Sequence, residues 1–130
     1  MAAAEVEHHQ SDGWVVLPFE TRQEFEAWLD VNHAEQPGLW VKFAKKGRGI
    51  GSVGFSEALE VAMCFGWVDS KTHRYDDDYY VLRFQPRRPR STWSPRNKEL
   101  ADRLIADGQM RPSGLAEVKA AKADGRWDAS

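Results

Sequence analysis

Cysteine is nearly absent from this chain: Cys64 is its one representative in 130 residues. That excludes an internal disulfide and any zinc cage built on several thiolates. Long apolar runs are missing as well. Nothing approaches the ~18 consecutive apolar residues of a membrane span, and the opening MAAAEVEHHQSDG has no apolar core of a secretory signal. Direct membrane insertion is therefore not expected, and a cytoplasmic, reducing setting is. The net charge is only −2, which argues against a protein that coats nucleic acid over its whole surface. The run Asp76, Asp77 and Asp78 lacks the ligand spacing of a calcium loop and reads as a solvated turn. No metal or cofactor is expected.

Aromatic residues are plentiful. Six Trp and six Phe, within a hydrophobic share of 42%, supply a core for one ordinary domain, and 29% charged residues supply a solvated exterior. The small net charge hides a local asymmetry. Between Arg83 and Arg103 there are seven basic residues and two acidic ones, so the remainder of the chain is acidic.

Residues 1 to 12 have no hydrophobic period and read as a disordered tail, with the domain proper from 13 to 130. TRQEFEAWLDVNH opens on a capping box, Thr21 with Glu24, and predicts a helix over residues 21 to 32. LWVKFAK alternates Leu39, Val41 and Phe43 against Trp40 and Lys42, as a half-buried strand does. Ser56 is the expected cap of a core helix that Gly66 ends in a left-handed conformation. WVDSKTHRY and YYVLRFQ form a hairpin around the three aspartates. Ser94 and Pro95 open a third helix, and Ser113 opens a fourth that Gly125 ends. The architecture expected is α+β, a small antiparallel sheet packed against three to four helices in a single domain.

GIGSVG, residues 49 to 54, matches GxGxxG. A dinucleotide fingerprint needs its first glycine at the very end of a buried parallel strand. Here Lys45 to Arg48 intervene and the preceding strand alternates, so dinucleotide binding is excluded. Lys45, Lys46 and Arg48 beside a helix start do form a candidate anion site.

No acid–base pair can be assigned, and the chain reads more readily as a binding protein than as an enzyme. Cys64 sits in mid-helix between Met63 and Phe65, where burial raises a thiol pKa. His33 falls at a helix end and suits a dipole contact. His73 has no evident partner in the sequence. Trp67 and Asp69 are pocket candidates. The strongest chemical signal is RFQPRRPRSTWSPRNK, in which Arg87, Arg88, Arg90 and Arg96 surround Trp93 between stiffening prolines. Arginine forks suit carboxylate or phosphate, and an exposed Trp93 would stack on a base or a guanidinium. An acidic protein partner and a nucleic acid are both eligible, and the oligomeric state stays open.

AMCFGWVDS, RFQPRRPRSTWSPRNK and AAKADGRWD, preceded in order by WLDVNH and LWVKFAKKG, resemble the YdeI/OmpD-associated family, a group labelled bacteriocin-protection proteins. The resemblance covers about residues 14 to 128. It implies a role in bacteriocin tolerance or stress response, with a porin association in some members, and it carries over no enzymatic reaction. It also implies a second, basic helical segment after the tryptophan of DGRW, where this sequence ends at Ser130. Two functions are carried forward: an interaction protein that holds an acidic partner through the Arg/Trp segment, and a nucleic-acid-binding domain that uses the same segment together with Lys45, Lys46 and Arg48.

Overall fold

The alternation of residues 39 to 44 sends side chains to two faces of a sheet, and both faces turn out to be covered. A computed structural model describes residues 6–128. Its elements run β1 (Val15–Pro18), α1 (Arg22–Asn32), β2 (Leu39–Ala44), α2 (Phe55–Cys64), β3 (Trp67–Arg74), β4 (Tyr79–Pro86), α3 (Pro95–Ala106) and α4 (Pro112–Ala123). The strands form one sheet in the order β1-β2-β4-β3. This is an α+β domain, and its sheet is mixed: β2–β4 and β4–β3 are antiparallel, whereas β1 pairs with β2 in parallel. The departure from an all-antiparallel sheet comes from β1. Its short run of β-branched and apolar residues becomes a strand only because α1 carries the chain back to lay β2 beside it.

Leu39, Val41 and Phe43 of β2 and Leu82 and Phe84 of β4 face the main core, where Phe25 and Leu29 of α1 and Val61 and Ala62 of α2 meet them. Ala101 and Leu104 of α3 and Val118 and Ala121 of α4 complete that layer. All four helices thus lie on one face. Trp40 and Val81 point to the other, where they join Val16 in a second, smaller cluster flanked by Trp14 and Tyr75.

That second face is covered by the segment expected to be a tail. Residues 1 to 5 lie outside the described residues. From Glu7 onward the chain returns across the sheet: the Val16 amide donates to the Glu7 carbonyl at 2.9 Å, and His8 bridges to Val15. The Asp12 carboxylate accepts from Trp40 Nε1 at 3.1 Å and pairs with Arg83 at 3.2 Å. His9 stacks on Trp40 with ring centroids 4.0 Å apart, and His73 tilts against the same indole at 4.8 Å. A residue as large as Trp40 on the outer face needs such a cover, and its exposure is 0%.

Helix starts divide by chemistry. Thr21 accepts from the Glu24 amide and Ser94 from the Asn97 amide, as the capping signals predict. Ser56 and Ser113 do not cap. α2 starts one residue before Ser56, with Gly54 at the cap position and its amide donating to the Glu57 carboxylate at 3.1 Å. α4 starts at Pro112 with Arg111 in the cap position. Ser113 instead donates its hydroxyl to the Phe65 carbonyl at 2.8 Å. The reason lies at the end of α2, whose last carbonyls need donors. Three arrive from distant segments: the Arg111 amide to Cys64, the Ser113 hydroxyl to Phe65 and the Arg87 amide to Gly66. Gly66 adopts φ +78, and a Cβ there would lie 3.0 Å from the Ser113 carbonyl oxygen. Only glycine meets both demands comfortably.

Candidate binding cleft

Between α2, α3 and the start of β3 lies a cleft of about 430 Å³. α2 presents Ser56, Leu59, Glu60 and Met63 to it, spaced by three and four residues on one helical face. α3 presents Arg96, Leu100 and Arg103 on the same principle. β3 contributes Trp67 and Asp69, which as alternate residues share a side of the strand. Arg87 closes the wall just beyond β4.

Arg87 is the buried charged residue among the described ones, 7% exposed. Its guanidinium lies 3.7 Å from the ring centre of Trp93, a cation–π stack worth about 0.5–2 kcal/mol. Nη1 donates to the Ser91 hydroxyl at 2.9 Å and to the Thr92 carbonyl at 3.2 Å. No carboxylate lies within ion-pair distance of it among the described residues. Burial holds its pKa below the usual arginine value, while the more distant charges of Glu117 and Asp69 act in the opposite sense. A buried cation without a counter-charge costs on the order of several kcal/mol. Here the cation lines an open cleft.

Other charges in the cleft are differently placed. Glu60 is engaged by Arg103 at 3.3 Å and by Arg22 at 3.8 Å. Asp69, Arg96 and Glu99 are exposed, and none has an ion-pair partner among the described residues. The floor between them is apolar: Trp67 and Met63 are buried, and Leu59 and Leu100 are half-buried.

The structure therefore brings together Trp67, Asp69, Arg87 and Arg96, four of the residues singled out from the sequence. It does not bring in the others. Trp93 is a core residue, 2% exposed, lying under Arg87 and 5.0 Å from Trp127, so it is a platform for the arginine and not a ring offered to a partner. Its indole N–H is buried without an acceptor. Arg88 and Arg90 are exposed outside the cleft, with Arg90 at φ 67 turning the loop.

Lys45, Lys46 and Arg48 sit beyond the opposite end of β4, since Ala44 pairs with Tyr79 while Arg87 follows Pro86. At ~3.3 Å per residue the two basic groups stand about 25 Å apart. Arg48 pairs with Asp78 at 3.8 Å, and the Glu57 carboxylate already occupies the amide at the α2 start. Of the anion site expected there, Arg48 and the Gly54 amide are thus engaged within the chain.

Cys64 is buried, and that burial pushes its thiol up to about 11, which removes it as a thiolate nucleophile at neutral pH. His33 Nδ1 lies 2.8 Å from the Leu29 carbonyl, the helix-end contact its position predicts. Sequence reasoning missed Leu59, Glu60, Met63, Leu100 and Arg103 as cleft residues. Their signal was the helical period itself, which marks a shared face without revealing what stands opposite.

No helix among the described residues is long and apolar enough to cross a membrane. No curated protein and no solved structure matches the chain. Residues 17–117, a span that contains every residue lining the cleft, match the family described as Domain of unknown function (DUF8412), and the chain belongs to that family.

Proposed function

We propose that this protein is a non-catalytic binding domain of the bacteriocin-protection, stress-tolerance type, which holds an acidic group of its partner in the cleft against Arg87. The observation that carries the reading is a buried arginine that lines an accessible cavity and has no carboxylate within ion-pair distance among the described residues. An incoming carboxylate would supply the missing counter-charge in a setting where such pairs are strong.

The motifs that resemble the YdeI/OmpD-associated family support it from another side, because they meet in space. AMCFGWVDS supplies Met63, Trp67 and Asp69, and RFQPRRPRSTWSPRNK supplies Arg87 and Arg96. AAKADGRWD braces the rear of the same wall: Arg126 donates to the Ser91 carbonyl at 3.0 Å, and the Trp127 carbonyl accepts from Lys98 at 3.0 Å. Stretches far apart in the chain thus share one site.

The test is bacteriocin survival of a sensitive bacterial host that carries the wild-type chain, Arg87→Gln or Arg96→Glu. Arg96 is exposed, so its variant is expected to fold and to lose protection along with Arg87→Gln. Full protection by both folded variants would overturn the reading.

A nucleic-acid function draws support from the exposed Arg88 and Arg90. Against it stand the burial of Trp93 and the distance to Lys45, Lys46 and Arg48. Anisotropy with labelled duplex DNA at about 50 and 200 mM salt addresses it, since a backbone binder loses affinity steeply between the two. Tight binding at the lower salt that vanishes in Arg88→Glu/Arg90→Glu would favour this second reading.

A further inference from the structure

The cleft is not simply basic. With Glu60 held by Arg103 and Arg22, the charges left over are two cations, Arg87 and Arg96, and two anions, Asp69 and Glu99. A polyanion would meet both carboxylates, and an amine would meet both guanidiniums. A molecule with one charge of each sign meets neither conflict, provided its two ends lie as far apart as the groups that receive them.

Spacing along the hairpin sets that separation. Trp67 pairs with Pro86 and Asp69 with Phe84, while the Arg87 amide is bonded to the Gly66 carbonyl. Asp69 and the point where Arg87 is anchored are thus three residues apart along β3, about 10 Å between backbones. Both side chains line the same cleft, and Asp69 stands near enough for its charge to act on Arg87. Two residues of extended peptide span at most ~7 Å. Between the charged ends lies the apolar floor of Trp67, Met63, Leu59 and Leu100. The volume of about 430 Å³ falls in the range of small-ligand sites, ~300–1,000 Å³.

We propose that the cleft binds a short hydrophobic peptide with free ends, of dipeptide size, whose carboxylate pairs with Arg87, whose side chains lie on Leu59 and Leu100, and whose ammonium faces Asp69. This rests on the reading of Arg87 as the anchor for an acidic group, and it names the chemistry at the other end of that group's carrier. Arg96 and Glu99 guard the mouth, one of each sign, and disfavour ligands of high net charge.

The experiment is calorimetric titration of the whole chain with four probes: the dipeptide Leu-Phe, its N-acetyl form, its C-terminal amide and inorganic phosphate. Leu-Phe is expected to bind most tightly, with each capped form at least tenfold weaker and phosphate weaker still. Asp69 is exposed, so Asp69→Asn is expected to fold and to erase the preference for free Leu-Phe over N-acetyl-Leu-Phe. Equal binding of those two peptides by the wild type, lost for both in a folded Arg87→Gln, would overturn the zwitterion proposal and leave the Arg87 anchor standing. Amide binding as tight as that of Leu-Phe, undiminished in Arg87→Gln, would overturn both. Silence from all four probes would also overturn the peptide proposal, and protection that still depended on Arg87 and Arg96 would keep the broader reading in place.

Discussion

At Gly114 the first turn of α4 passes so close to the end of α2 that a Cβ would lie 2.3 Å from the Cys64 carbonyl oxygen and 2.6 Å from the Met110 sulfur. The sulfur belongs to a flexible side chain and yields, but the carbonyl is backbone and already accepts the Arg111 amide. Gly114→Ala should therefore destabilise the fold by about 1–3 kcal/mol despite alanine's better helix propensity, because overpacking outweighs a propensity gain of ~1 kcal/mol. Urea unfolding followed by tryptophan fluorescence measures it, and a more stable variant would contradict the close approach. Nothing in SGLAEVKAAKADG distinguishes this glycine from a weak spot in a helix. Its meaning comes from Cys64, fifty residues earlier. Arg87 was legible as chemistry for the opposite reason: the residue type announces its capability, and only its burial on Trp93 had to be learned from the fold.

Among the elements, those whose ends are set by neighbouring residues could be read directly. Thr21 with Glu24, Ser94 with Pro95, and Gly66 at φ +78 each act within a few residues, so the local pattern suffices. β1 has four residues and pairs through a helix with β2, and the covering segment from Glu7 to Trp14 has no pattern of its own. It folds back on β1 through a few local bonds, and the contacts that fix it on the sheet, to Trp40, Tyr75 and Arg83, lie far along the chain and escape any local reading.

The Tyr75 hydroxyl donates to the Glu7 carboxylate. That bond, followed by burial and the charge of Glu7, pushes the tyrosine up to about 12 from its ordinary 10.0. Because the folded value is raised, this contact contributes stability below pH 10 and loses it as the pH climbs through about 12. Amide exchange at Val16, whose N–H is bonded to the Glu7 carbonyl, should accelerate across that window beyond its intrinsic base catalysis. Glu7→Gln should shift the onset down toward pH 10, and an identical profile in that variant would sever the segment's docking from Tyr75.

On the scale of the whole molecule, the cleft is a product of convergence. Its lining comes from α2, β3, α3 and the stretch after β4, and its rear wall is tied down by residues near the far end of the described chain. The six Trp announced a core, but not that Trp93 and Trp127 would meet behind a charged residue. Trp127 is half-buried, so Trp127→Ala should cost about 2–3 kcal/mol, less than the ~3–5 of a fully enclosed indole. It should also weaken any ligand held by Arg87, since Trp93 would lose its neighbour. Thermal melts and the Leu-Phe titration on the same sample check both parts, and unchanged affinity in a destabilised variant would show that the wall and the anchor act independently.

The cover on the outer face has a consequence for synthesis on the ribosome. Asp12 leaves the exit tunnel long before Arg83, its ion-pair partner across the sheet. Some seventy residues separate them, roughly 4–14 s of translation at ~5–20 residues per second. Throughout that interval Trp14 and the strip that will shield Trp40 have no folded surface to rest on. This covering segment is thus among the last to be placed, and a nascent-chain chaperone would meet Trp14 exposed well before the sheet face it packs on exists.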